Sequence, residues 1–271
     1  MAKVVVVTSG KGGVGKTTST AALGAALAQS GKTVVVVDFD VGLRNLDLVM
    51  GAERRVVFDF INVIQGTVKL SQALIRDKRL DTLWLLPASQ TRDKDALTAA
   101  GVAKVIAQLR QKFDWVICDS PAGIERGAML AMRHADAAVI VTNPEVSSVR
   151  DSDRIIGLLD ARTEKAEKGE VIEKHLLITR YDAVRAGKGE MLSIEDMLEI
   201  LSVPLLGIVP ESQEVLRASN IGAPVTLCNA SSAPARAYCD AMRRLKGENV
   251  SMTIPNDSKH LFGKLFRRRA A

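Results

Sequence analysis

Seven short apolar runs recur along the 271-residue chain, at residues 4–7, 34–37, 83–86, 116–118, 138–141, 176–178 and 205–209. None alternates with polar residues, and helix-length segments separate them, beginning with the alanine-rich stretch over residues 18–29. A strand that is apolar at every position is buried on both faces, and long connections return the chain over the sheet. The pattern therefore predicts an α/β fold, a mostly parallel doubly wound sheet with helices on both faces. Ligands of such sheets gather at the carboxyl ends of the strands.

The first run leads into Gly10, Lys11, Gly12, Gly13, Val14, Gly15, Lys16, Thr17 and Thr18, which satisfies G-x-x-x-x-G-K-[ST] with Gly10 and Gly15 in the glycine positions. Backbone N–H groups can surround phosphate oxygens only where no Cβ obstructs them or forbids positive φ. Lys16 is expected at the β- and γ-phosphates and the Thr17 hydroxyl on Mg²⁺, with the positive end of a helix starting near Thr17 aimed at the anion. An ordinary glycine-rich turn is the alternative.

Other strand ends carry the remaining polar candidates. Asp119 closes the 116–118 run and is the expected second Mg²⁺ contact, direct or through water, followed by a γ-phosphate-sensing loop over residues 120–125. Asp38 and Asp40, two apart, are expected on one side of an extended strand end, sharing the ordering of metal-bound and attacking water; for Asp38, structural capping is the competing role. Thr142, Asn143, Pro144 and Glu145 precede a helix that Ser147 or Ser148 is expected to cap. Thr179 with Arg180, and Pro210 with Glu211, fall where a purine base would lodge.

Hydrophobic residues make up 47% of the chain and charged ones 25%, ordinary for a globular protein. No secretory leader pattern and no run of about 20 apolar residues is present, so a cytoplasmic protein is expected. Cys118, Cys228 and Cys239 lack C-x-x-C spacing and read as core thiols; His134, His175 and His260 are scattered and read as structural or surface residues. The net charge of +6 resembles a nucleic-acid signal until Lys259, Lys264, Arg267, Arg268 and Arg269 are located. The basicity belongs to the end of the chain.

This divides the sequence into a globular domain over residues 1–246, a polar linker over 247–258 and a basic tail over 259–271. On a helix, Leu261, Phe262, Leu265 and Phe266 fall within about 140°, opposite Lys264, Arg267 and Arg268. Such a helix suits an anionic membrane surface. Burying its four apolar side chains contributes roughly 6–12 kcal/mol and its cations up to about 5, against an ordering cost of about 10–15 for ten residues. One tail is marginal, whereas two on a dimer gain about 10²–10⁴ in avidity.

Lys11 through Thr18 resemble the deviant Walker A motif of the MinD/ParA ATPases, whose extra lysine matches Lys11. The segments 38–47, 118–125 and 142–153, and the amphipathic end, resemble the MinD branch of that family. The resemblance runs nearly end to end and implies a P-loop NTPase of the MinD/ParA/nitrogenase-iron-protein type. It further implies ATP and Mg²⁺ as cofactors and an ATP-dependent homodimer in which each Lys11 reaches the partner's nucleotide, a cation supplied in trans. Asp40 matches the residue that orients the attacking water. Implied partners are MinC, recruited to the membrane to regulate septum position, and MinE, which stimulates hydrolysis and release. The partner surface maps near Ser148, Arg150, Asp151 and Asp153, with a peripheral location on the cytoplasmic face of the membrane. A flagellar-number regulator and a ParA-like DNA-partitioning ATPase are the alternative functions; lipid is favoured over nucleic acid as the main partner because Phe262 and Phe266 share a face with leucines.

Overall fold

The computed structural model describes residues 2–90 and 94–255. Eight strands form one sheet: β1 (Lys3–Thr8), β2 (Val34–Asp38), β3 (Ile75–Arg76), β4 (Leu83–Leu86), β5 (Trp115–Asp119), β6 (Ala137–Thr142), β7 (Glu173–Tyr181) and β8 (Leu205–Pro210), in the spatial order β3-β4-β2-β5-β1-β6-β7-β8. All neighbouring pairs are parallel except β3 with β4. The mostly parallel sheet is as expected, and the seven apolar runs are seven of its strands. The two-residue β3 is too short to show a period.

The absence of alternation has a direct cause. Val4 and Val6 of β1, with Val35 and Val37 of β2, enter one hydrophobic core; Val5, Val7, Val34 and Val36 enter the other, on the opposite face. Helices Ala99–Lys112, Val146–Arg162 and Ile194–Leu201 cover the first face, and Lys16–Gln29 and Ala233–Leu245 the second.

Helix Lys16–Gln29 is buried along nearly its whole length, between the sheet and helix Ala233–Leu245. Small residues make that possible: a Cβ on Gly24 would lie 2.6 Å from Val36 Cγ1. β1 sits at the centre of the sheet, and the order of connections reverses around it. The crevice at its carboxyl end is where such a sheet places a ligand.

Two expectations need correcting. Of the three cysteines Cys118 is buried in the core, Cys239 is half-buried against it, and Cys228, the last residue of helix Val225–Cys228, is exposed. The stretch assigned to a polar linker is part of the folded body as far as Pro255: Met252 and Ile254 pack against the core. The tail, with Leu261, Phe262, Lys264, Leu265, Phe266, Arg267 and Arg268, lies outside the described residues. Among the described residues no helix is long and apolar enough to cross a membrane.

Gly24→Val drives two methyl groups into β2 and is expected to destabilise the fold by about 1–3 kcal/mol, read as a lower denaturant midpoint. An unchanged midpoint would show that the helix does not depend on this close approach.

Candidate functional site

β1 ends at Thr8 and the glycine-rich loop leads to the helix at Lys16. Gly15, with φ of 95°, is the N-cap, and no side chain caps the helix. Its leading N–H groups are left for an anion. Lys16 is buried, and its Nζ donates to Ser9 Oγ at 2.8 Å and to the Lys11 carbonyl at 3.3 Å. Burial lowers the pKa of this ammonium, while the charges of Asp119 and Asp40 oppose that shift. The Thr179 hydroxyl donates to the Val14 carbonyl at 2.6 Å, fixing the loop to the end of β7. Gly10 is required by packing: a Cβ there would lie 2.3 Å from the carbonyl oxygen of Asp151.

Beside the loop two carboxylates meet. β2 and β5 pair with Asp38 opposite Asp119, and both side chains are buried. Burial pushes the Asp119 carboxyl up to about 6 against the opposing hydrogen bonds from the Thr17 and Thr20 hydroxyls, the latter at 3.0 Å. Burial, and then the neighbouring Asp119 charge, hold Asp38 well above the usual carboxylate range. Two adjacent buried carboxylates cannot both ionise comfortably without a cation. An oxygen donor set next to a phosphate-shaped loop fits Mg²⁺.

Asp38 and Asp40 do not share one side of an extended strand. The strand stops at Asp38, whose Oδ1 accepts from the Asp40 N–H at 2.8 Å and whose Oδ2 accepts from the Leu46 N–H at 3.3 Å. The carboxylate itself bridges the backbone of the turn that follows the strand. Asp40 is half-buried and lies within electrostatic reach of Lys16.

On the other side of the loop, a cavity of about 360 Å³ is lined by Val14, Gly15, Thr18, Arg180, Pro210 and Tyr238, among others. The two strand ends expected to hold a base therefore do converge. Arg180 adopts a φ of 53°, in the left-handed region that a non-glycine residue seldom enters, at the bulge between β7 and β8. The Tyr238 hydroxyl lies 3.0 Å from Ser19 Oγ, tying the C-terminal helix to the phosphate-loop helix.

Lys11 is turned away from the loop. Its Nζ donates to Glu145 Oε2 at 2.8 Å and to Ser147 Oγ at 2.9 Å, and Asn143 Nδ2 donates to Glu145 Oε1 at 2.7 Å. Neither serine caps the following helix, which starts earlier, at Val146 with Glu145 as its N-cap. Ser147 serves Lys11, while Ser148 is buried against Thr142, hydroxyl to hydroxyl at 2.9 Å. Of the residues expected on a partner surface, Arg150 and Asp153 are exposed, Asp151 is half-buried against Gly10, and Ser148 faces inward.

Spacing singled out neither Ser9 nor Thr20, and it did not pair Glu145 with Lys11. Their roles appear only once β1, β5 and β6 are side by side.

The chain is similar to known proteins along nearly its whole length. The family model for the CobQ/CobB/MinD/ParA nucleotide binding domain matches residues 5–225. The septum site-determining protein MinD of Escherichia coli is 59% identical over 266 residues, covering 97% of this chain and 98% of that protein. MinD of Neisseria meningitidis is 58% identical over 270 residues, covering 98% and 99%. Among solved structures, the MinD cell division protein of Aquifex aeolicus superposes with a TM-score of 0.82 at 40% identity, covering 93% of this chain and all of that one. A MinC:MinD cell division protein complex from the same organism gives 0.81 at 41%, covering 93% and 99%. MinD complexed with Mg-ADP from Pyrococcus horikoshii gives 0.80 at 29%, covering 90% and 96%.

Fold and site together define a P-loop ATPase with a nucleotide binding domain. Within that class, the chain belongs to the MinD family of septum site-determining, cell-division proteins.

The carboxylate pair has a consequence for pH. With its pKa near 6, above the usual 3.8, Asp119 is protonated more readily in the nucleotide-free fold than in the unfolded chain. Stability from this group is full at low pH and is lost as pH rises through about 6. Asp119→Asn keeps an acceptor for Thr20 and removes the charge. It is expected to raise the melting temperature of nucleotide-free protein at pH 7.5 and to confer no advantage near pH 4. A lower melting temperature at pH 7.5 would contradict this electrostatic account.

Proposed function

We propose that the protein is a nucleotide-switched dimer that works on the cytoplasmic face of the cell membrane. In its Mg·ATP state it brings a MinC-type division inhibitor to that surface, and MinE-stimulated hydrolysis releases it. The observation that carries the reading is the buried Asp38–Asp119 pair beside Lys16 at an uncapped helix start, a charge arrangement that a metal-bound triphosphate completes. Family membership and the Aquifex MinC:MinD complex support the MinC partnership. MinE and the membrane rest on the family resemblance and on the tail sequence.

Each residue then has a task. The open N–H groups after Gly15, together with Lys16, hold the phosphates, and the Thr17 hydroxyl, Asp119 and Asp38 hold the metal. When bound, Mg²⁺ neutralises charge on the phosphate oxygens. The cavity between Arg180 and Pro210 takes the base, and Asp40 orients the attacking water. Lys11 leaves Glu145 to reach the nucleotide of a second copy. That ion pair is exposed on both sides and contributes about 1 kcal/mol or less, so a triphosphate readily draws the lysine away. Arg150 and Asp153, on the exposed face of helix Val146–Arg162, are offered to the partner proteins. The contact of Gly10 with Asp151 places this helix directly against the phosphate loop.

The tail completes the switch. It is too weak to hold one copy and strong enough, by avidity, to hold two.

Asp40→Ala is expected to keep ATP-dependent dimerisation while slowing single-turnover hydrolysis by at least tenfold in quench-flow; wild-type hydrolysis would remove Asp40 from the chemistry. Phe262→Glu is expected to abolish ATP-dependent sedimentation with anionic vesicles and to leave dimerisation intact. Persistent sedimentation would refute the membrane role of the tail, and ATP-dependent retention of the wild type on duplex DNA instead of vesicles would favour a DNA-partitioning function.

A further inference from the structure

Near the end of β7, Thr179 is buried against the phosphate loop. Its hydroxyl has two carbonyl oxygens within reach, that of Val14 at 2.6 Å and that of Thr142, the last residue of β6, at 3.3 Å. A hydroxyl has one proton to give, and the shorter contact takes it. The bond joins segments 165 residues apart. Its acceptor stands one residue before the N-cap Gly15 and outside the helical ladder, which opens with the Ser19 N–H on the Gly15 carbonyl at 2.9 Å.

That carbonyl sets the direction of the donor next to it. In a planar trans peptide the C=O of Val14 and the N–H of Gly15 point in opposite directions, so a carbonyl held toward β7 directs the N–H away from β7. Gly15 has φ of 95° and ψ of 24°, and a glycine accepts either sign of φ. Turning this unit over therefore changes ψ of Val14 and φ of Gly15 and displaces neither Cα. Other contacts secure the rest of the loop. The Val14 side chain is buried in the core, Ser9 Oγ donates to the Lys11 carbonyl at 2.7 Å, and Gly10 lies against Asp151. Each of these leaves the sense of the Val14–Gly15 peptide open.

We propose that Thr179 is a positioning residue for the phosphates: its hydroxyl keeps the Gly15 N–H, and not the Val14 carbonyl oxygen, facing the anion. The inference rests on the reading of residues 10–17 as the phosphate cradle. A unit turned the other way exchanges a donor for an acceptor, so a charge-assisted hydrogen bond gives way to repulsion between a carbonyl dipole and the phosphate charge. Thr179 also lines the cavity assigned to the base, and contact with the base is the competing role. The two differ in what they affect: a lost base contact weakens nucleotides alone, whereas a misdirected peptide weakens any polyphosphate.

The test is the affinity of the full chain, with Mg²⁺ and well below the melting temperature, for ADP and for inorganic tripolyphosphate by titration calorimetry. Thr179→Val keeps the β-branched shape that suits a strand and removes the donor; it is expected to weaken both ligands by about tenfold or more. Thr179→Ser keeps the donor and is expected to stay within about threefold of wild type for both. Wild-type affinity of Thr179→Val for tripolyphosphate overturns the inference, whether or not ADP binding falls. An equal loss in Thr179→Ser overturns it too, since that assigns the effect to the methyl group. If Thr179→Val does not fold, Thr179→Ala against Thr179→Ser decides: both lack the methyl group and they differ in the hydroxyl alone, so equal affinities overturn the inference. Lys16→Ala run alongside separates the two levels. If it binds tripolyphosphate as wild type does, the phosphate-loop reading itself fails; if it loses binding while Thr179→Val does not, only the role of Thr179 fails.

Discussion

The constraint on which the site depends is the meeting of two buried carboxylates at the carboxyl ends of neighbouring strands. Asp38 and Asp119 are opposite one another in register, and burial resists the ionisation of both. Lys16, itself buried, supplies one positive charge nearby, and the uncapped helix supplies partial positive charge from its N–H groups. Buried carboxylate oxygens beside a buried ammonium and an uncapped helix start form a donor set suited to a divalent cation and a phosphate anion bound side by side.

That charge balance governs its surroundings. Asp38 turns the chain through the N–H groups of Asp40 and Leu46, so any movement of its carboxylate toward a metal pulls on the segment carrying Asp40. Gly10 lies against Asp151 without room for a methyl group, so the phosphate loop is in close contact with helix Val146–Arg162. Tyr238 connects the phosphate-loop helix to the C-terminal helix, and Arg244 at the end of that helix donates to the carbonyls of Val250 and Ser251.

Much of this was legible in the sequence because it depends on local pattern. Strands buried on both faces must be apolar at every position, and a loop that admits phosphate must lack Cβ atoms. The placement of Asp119 followed from the strand it terminates. The parts that escaped depend on neighbours distant in sequence. Nothing near Lys11 announces Glu145, which β6 brings alongside; nothing in Asp38-Phe39-Asp40 says that the first carboxylate will accept from Leu46. Helix Val146–Arg162 starts ahead of the serines expected to cap it because Ser148 finds Thr142 in the interior. Residues 250–255 read as linker because what holds them, two apolar side chains on the core and the Arg244 guanidinium, is too short a pattern to show a period.

The account as a whole claims that triphosphate occupancy joins two copies and that only the joined pair remains on lipid. The most direct measurement is the fraction of wild-type protein bound to anionic vesicles with Mg²⁺ and a non-hydrolysable ATP analogue, compared with Mg·ADP, while the monomer–dimer distribution is recorded in the same buffer without lipid. The account predicts that vesicle binding rises in step with the dimer and is nearly lost in ADP. Equal binding by the ADP-bound monomer would contradict it.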